Sequence, residues 1–117
     1  MAHDFAPTGS SFGTSGRRWR RSVEFVRFEW SAAKAAVNFR KHAVSFREAM
    51  TVFGDALSAT VPDADHSMRE VRFLTLGRSS HGRLLVVAHT DTGDAVRVIS
   101  ARQATRRERR SYEEGQH

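Results

Sequence analysis

Four arginines, a histidine, a glutamate and a tyrosine in the second half of this 117-residue chain are of types that can act on a phosphodiester. Arg72, Arg78, Arg97 and Arg102 stand in or beside stretches of alternating hydrophobicity, His89 ends another, and Glu108 and Tyr112 fall on a helical stretch near the C-terminus. Cleaving RNA without a metal needs a base for the 2′-hydroxyl proton, cations for the crowded phosphorane and an acid for the departing 5′-oxygen. Arginine supplies the cation in a fixed fork, and histidine or a carboxylate transfers protons near neutral pH. Tyr112 could stack on a base or donate a proton; equally it could pack as a ring between helix and sheet. Singly, each residue has a plainer reading, because one face of an antiparallel sheet can be solvated and needs no function. The combination is what favours phosphodiester chemistry.

The elements that must carry these residues follow from patterning. Val23 and Phe25 alternate with polar residues and lead through Phe28-Glu29-Trp30, which predicts a first strand. Ser31 is a good N-cap for a helix over AAKAAVNFRKH, with Ala32, Ala35, Ala36 and Phe39 at helical spacing as its apolar face. Ser45 and Glu48 have capping-box spacing for a second helix, which carries Phe46, Ala49, Met50 and Phe53 inward and stops at Gly54-Asp55. Short strands are predicted from Leu57 to Val61, from Glu70 to Arg78, from Leu84 to Thr90 and from Ala95 to Arg102, with a hairpin turn at Asp91-Thr92-Gly93-Asp94. A second capping box, Thr105 with Glu108, opens a final helix that runs to Gly115. The expected class is α+β in the order β-α-α-β-β-β-β-α, and short links between the last strands imply an antiparallel sheet packed against helices. On alternation alone Arg72 and Arg78 share the side of Leu74 and Leu76, and His89 shares that of Leu85 and Val87. Arg97 stands with Ile99, with Ser100 and Arg102 on the other side.

Composition narrows the possibilities. One domain fits this length. The absence of cysteine excludes disulfides and Cys-based zinc sites. The longest apolar run, Leu84 to Ala88, is the size of a strand, not of a membrane span, and the N-terminus lacks a secretory apolar region, so the expectation is a cytoplasmic protein. The formal charge is +6, and all but two of the 19 basic residues are arginine. That suits an RNA or DNA partner, although a G+C-rich genome would also favour arginine over lysine. Residues 1–22 are expected to form a disordered extension ahead of a domain at 23–117. Their Arg17-Arg18-Trp19-Arg20-Arg21 run could instead be a nucleic-acid-binding arm. Asp63, Asp65, His66 and Glu70 crowd one loop, but their spacing matches no established metal motif, and no cofactor or metal is expected.

Three segments resemble the BrnT toxins: FEWSAAKAAVNFRKHAVSFREAMTVFGD at 28–55, DADHSMREVRFLTLGRSSHGRLLVVAHT at 63–90 and VRVISARQATRRERRSYEEG at 96–115. The resemblance covers nearly the whole domain. It implies a RelE-like fold and a ribonuclease toxin of a type II toxin–antitoxin pair that cleaves RNA and slows translation and growth. It further implies a BrnA-like antitoxin that binds operator DNA with the toxin as co-repressor. By motif position the resemblance points to Arg72, Arg78, His89, Arg97 and Arg102, then Glu108 and Tyr112; Lys41 and His42 also match but sit at a helix end, where capping is the expected job. Within these roles Arg72, Arg78 and Arg97 would hold phosphate, and His89 is the leading proton-transfer candidate. Ala43 stands where the family usually has Gly, which predicts a left-handed residue after the first helix, held by alanine at a cost of about 1 kcal/mol. Ser31 stands where Asp or Asn is common, and Val71 replaces a polar residue. Two alternatives remain: a binding module or co-repressor without catalysis, and a DNA-binding repressor using the last helix with Arg106, Arg107, Arg109 and Arg110.

Overall fold

The computed structural model describes residues 27–66 and 70–115. The extension at 1–22 and the strand start expected at Val23 lie outside them. Along the chain come β1 (Arg27–Glu29), α1 (Ala32–His42), α2 (Phe46–Met50), β2 (Ala59–Pro62), β3 (Phe73–Arg78), β4 (Leu84–Thr92), β5 (Ala95–Gln103) and α3 (Arg106–Glu114), with 3₁₀ turns at Thr51–Gly54 and Ala64–His66. The class is α+β, with one five-stranded sheet in the order β1-β5-β4-β3-β2.

The expected antiparallel sheet is in fact mixed. The links between β2 and β5 are short enough for each strand to fold back on the last, and all three of those pairings are antiparallel. β1 is separated from β5 by both first helices and three strands, so no hairpin dictates its direction; it pairs parallel, with Phe28 opposite Val96.

The pleat gives the sheet two unlike faces. Leu85 and Val87 of β4 and Val96, Val98 and Ala101 of β5 meet Val44, Phe46, Ala49, Val52 and Phe53 in the core, with Phe28 and Trp30 completing it. Phe28 lies 5.3 Å from Phe53 and Trp30 meets Phe46 edge-on at 6.1 Å. Arg78, Arg97 and Arg102 alternate with these core residues and therefore emerge on the opposite face, where α3 lies. A bulge makes this possible. Ala88 pairs with Ser100 and His89 with Val98, so Ile99 is an extra residue in β5. Simple alternation puts Arg97 and Arg102 on opposite sides; the extra residue brings both to the same one.

α1 departs from the expected amphipathic helix. Phe39 and Val37 are about half exposed, and the one buried residue of the helix is Asn38. Its amide donates to the carbonyls of Val44 and Ala101 at 3.0 and 2.9 Å, and its Oδ1 accepts from the Ala101 N–H at 3.0 Å. A polar clamp on the edge of β5, beyond the end of β1, thus holds α1 where an apolar stripe was expected. Ala43 is left-handed as expected, at φ 58° and ψ 34°, and its N–H donates to Phe39 O. Ser45 accepts from the Glu48 N–H, but Glu48 does not close the box; its carboxylate turns to Arg83 and Ser79. Only Thr105 and Glu108 form the reciprocal pair.

Candidate active site

The arginine-bearing face has two ends. At the end nearest α3, Arg102 makes a bidentate pair with Glu108, Nη1 to Oε1 at 2.8 Å and Nη2 to Oε2 at 3.0 Å. Glu108 also accepts the Thr105 N–H at 2.8 Å, so a single carboxylate caps α3 and ties it to β5. Its pKa is held down to about 2, first by the Arg102 hydrogen bonds and then by the Thr105 backbone, against a burial that pushes it up. Across the sheet, the guanidinium of Arg78 lies 5.5 Å from the centre of the Tyr112 ring, a cation–π contact, and donates to Gly82 O at 3.1 Å. The Tyr112 hydroxyl donates to Asp55 Oδ2 at 2.7 Å, and burial, followed by that carboxylate, raises its pKa. Tyr112 is therefore a neutral, packed ring whose proton points at a carboxylate. Arg102 lies opposite Val86, which pairs with Leu76, two residues before Arg78, so the two arginines stand on neighbouring parts of one surface.

The other end lies toward the β4–β5 hairpin. Arg97 pairs with Thr90, which follows His89, the partner of Phe73. Arg72 precedes Phe73, so Arg72 and Arg97 flank Thr90 on the same face. The guanidinium of Arg97 donates to both Glu70 oxygens at 2.6 Å, with both side chains close to half exposed. Arg72 and Arg78 are six residues apart, roughly 20 Å along an extended strand. A single scissile phosphate cannot be shared between Arg78 and Arg102 at one end and Arg72 and Arg97 at the other while these pairings stand.

His89 belongs to neither end and lies on the side of Leu85 and Val87, where alternation puts it. It lies on the core face, 1% exposed, edge-on to Phe53 at 4.8 Å and stacked on Phe73 at 5.9 Å. Nε2 meets Thr75 Oγ1 at 2.7 Å, Thr75 meets Thr60 Oγ1 at 2.7 Å, and Nδ1 meets Asp91 Oδ1 at 2.9 Å. The order Thr75-His89-Asp91 has the connectivity of a nucleophile–base–carboxylate triad, but Thr75 is fully buried and no substrate can reach it. Its parity with Leu85 and Val87 already signalled the core; the alternation was legible, and the chemistry of the side chain outweighed it.

Sequence reasoning missed Asp55, which it took only as a helix stop, and Glu48, which it took as a cap. Glu48 accepts Arg83 Nη2 and Nε at 2.6 and 3.0 Å and the Ser79 hydroxyl at 2.7 Å, and Arg83 Nη2 also reaches Ala43 O at 3.0 Å. These bonds lash the β3–β4 turn to the start of α2. The Arg83 hydrogen bonds hold the Glu48 pKa down to about 2 against its burial. In the loop considered for metal, His66 bonds Asp63 and Glu70 serves Arg97; among the described residues no group of three or more His, Cys, Asp or Glu side chains is gathered to hold a metal ion. No helix among the described residues is long and apolar enough to cross a membrane.

Comparison with known proteins agrees with this architecture. The crystal structure of the Brucella abortus ribonuclease toxin BrnT, at 1.1 Å resolution, is similar with a TM-score of 0.51 and 21% identity, over 66% of this chain and 94% of that one. None of the curated proteins matches by sequence. Residues 30–108 match the family model described as the ribonuclease toxin, BrnT, of type II toxin–antitoxin systems, a span that runs from the core Trp30 to the capping carboxylate Glu108. The chain belongs to the BrnT family of ribonuclease toxins.

Proposed function

We propose that this toxin cleaves RNA at the α3 end of its arginine face, without a metal ion, by holding the scissile phosphate between Arg102 and Arg78. The observation that carries this reading is the Arg102–Glu108 pair, a bidentate carboxylate–guanidinium fork at the surface. A phosphate presents the same paired oxygens as the carboxylate it would displace. Displacement also changes Glu108. Its largest pKa-lowering contact is the hydrogen bond from Arg102. Once Arg102 turns to phosphate that contact is lost, and the carboxylate rises from its depressed value, still held partly down by the Thr105 bonds, toward the range of a base for the 2′-hydroxyl proton. Arg78, backed by the Tyr112 ring, adds the second cation against the phosphorane, and as the P–O5′ bond breaks to leave a 2′,3′-cyclic phosphate the departing 5′-oxygen takes its proton from solvent water. Arg72 and Arg97 then contact the RNA backbone farther along, and His89 supports the fold.

In this reading the fold is RelE-like, translation and growth slow as RNA is cut, and the protein works in the cytoplasm. A BrnA-like antitoxin silences it and carries it to operator DNA as co-repressor. The withdrawal of His89 into the core favours one second reading, a module that holds RNA or acts as co-repressor without cutting it. A defined RNA oligonucleotide incubated with pure protein in excess EDTA separates the two. Cleavage that persists, and that falls with Arg102→Ala, supports the proposal. Binding without cleavage gives the case to the second reading, and cleavage abolished by EDTA and restored by Mg²⁺ or Mn²⁺ refutes the mechanism.

A further inference from the structure

We infer that Asp55 is a positioning residue for the cleavage reaction, setting Arg78 through the Tyr112 ring and through the Arg78 backbone. This rests on the reading of the α3 end as the cleavage site. Asp55 follows the 3₁₀ turn at Thr51–Gly54, and its carboxylate takes donors from three directions. Oδ1 accepts the Leu57 N–H at 2.9 Å, and Oδ2 accepts both the Arg78 N–H at 2.8 Å and the Tyr112 hydroxyl at 2.7 Å. β2 begins at Ala59, which pairs with Leu76, so Arg78 lies past the end of that ladder and Asp55 stands in for the missing strand. The approach is close enough to dictate the neighbouring residue. A Cβ on Gly77 would lie 2.8 Å from Val52 Cγ1, 2.9 Å from Ser58 Cβ and 3.3 Å from Asp55 Oδ2. Glycine at 77 lets the turn close on β3.

The arrangement answers a specific problem. An arginine side chain has many rotamers, and a cation that must meet a developing phosphorane gains rate only if it is ordered beforehand. The Tyr112 ring orders it from one side, and the ring is itself fixed at its far end by Asp55. The carboxylate bonds the Arg78 backbone, while the guanidinium donates to Gly82 O. Asp55 thus orders the cation without occupying the fork that would meet phosphate. In the same way Asp55 takes the Tyr112 proton out of play, so the ring acts as a platform and not as an acid.

The test is kinetic, on a single-stranded RNA oligonucleotide labelled at both ends. Asp55→Asn keeps the shape and the Oδ1 acceptor but weakens the contact to Tyr112 and Arg78. It should lower kcat about tenfold while KM stays within about twofold, the pattern of an interaction realised in the transition state. Tyr112→Phe should do the same, and the double variant should be no worse than the worse single one, because both act through one route. Arg78→Ala is the control that separates the two levels of argument. If it cleaves like wild type, the α3 end is not the site and this inference falls with it. If Arg78→Ala is inactive while folded Asp55→Asn and Tyr112→Phe keep wild-type kcat, the site stands and the role of Asp55 is refuted. Losses that multiply in the double variant also refute the shared route. Should Asp55→Asn unfold, Tyr112→Phe, which leaves the backbone donors on Asp55, decides by itself.

Discussion

At the α3 end of the arginine face, each charged group is held by more than one element; at the hairpin end, Arg97 and Glu70 hold each other at 47% and 42% side-chain exposure. Arg102 answers to a carboxylate that also caps a helix, and Arg78 to a ring anchored through Asp55. An exposed ion pair contributes between nothing and about 1 kcal/mol and gives little order to its members. The two ends carry the same residue type on the same surface, but Arg78 and Arg102 are tied to α3 while Arg97 is met by one exposed carboxylate. Charge alone therefore does not distinguish a catalytic cation from one that merely follows the RNA backbone. What distinguishes them is how many other contacts must break before the side chain can move.

That contrast can be broken most directly by alanine substitution. Arg102→Ala and Arg78→Ala should each lower cleavage by about a hundredfold to a thousandfold, the usual consequence of removing one preorganised group beside a developing charge. Arg97→Ala should change it only a few-fold and mainly through KM. Cleavage assays on the three folded variants check this, and a larger loss from Arg97→Ala would move the site to the hairpin end.

His89→Ala tests the two faces of the sheet against each other. It empties the space between Phe53 and Phe73 and takes a partner from Thr75, so unfolding free energy should fall by about 3 kcal/mol, read from urea midpoints. A variant with an unchanged midpoint and no cleavage would return His89 to the chemistry.

Acid should loosen the lashing near the α3 end. Glu48 is held at about 2 in the folded chain against an ordinary 4.5. A depressed carboxylate contributes stability that is complete above the unfolded pKa and is lost as pH falls from about 4.5 toward about 2. For Glu48, whose side chain is 4% exposed, the contribution is on the order of 2–3 kcal/mol. Unfolding measured across that range should be steep for wild type and flatter for Glu48→Gln; equal slopes would show that the Arg83 pair does not set acid stability.

The smallest expected effect is a gain. Ala43→Gly relieves a left-handed alanine at φ 58° and should add about 0.5–1 kcal/mol without altering cleavage. A loss of stability would mean that the alanine side chain contributes more than its backbone strain costs.

Much of this was legible in sequence for local reasons. Ser31, Ser45 and Thr105 announce helix starts and Gly93 a hairpin, whereas the left-handed turn at Ala43 follows only from the family resemblance, which puts a glycine there. The shared side of Arg72 and Arg78 also follows from alternation within one strand. What could not be read depends on contacts between distant residues. The direction of β1 is decided by a partner some 70 positions away, Asn38 looks like a weak helix residue until Ala101 is beside it, and Asp55 looks like a helix stop until Arg78 and Tyr112 arrive. Strict alternation puts Arg97 and Arg102 on opposite faces because it cannot register an extra residue, and the bulge is visible only in the pairing with β4.

That extra residue, Ile99, also sets how the gene can change. Of the four residues between Arg97 and Arg102, Val98 and Ala101 lie in the core, and only Ile99 and Ser100 are partly exposed. Deleting one codon there would remove the bulge and leave Arg97 and Arg102 four positions apart, a spacing that strict alternation keeps on one face. Five positions with the bulge or four without it keep both arginines on the α3 face, whereas five positions without the bulge would turn one of them toward the core. Homologous toxins should therefore carry these two arginines either five positions apart with a bulge or four apart without one.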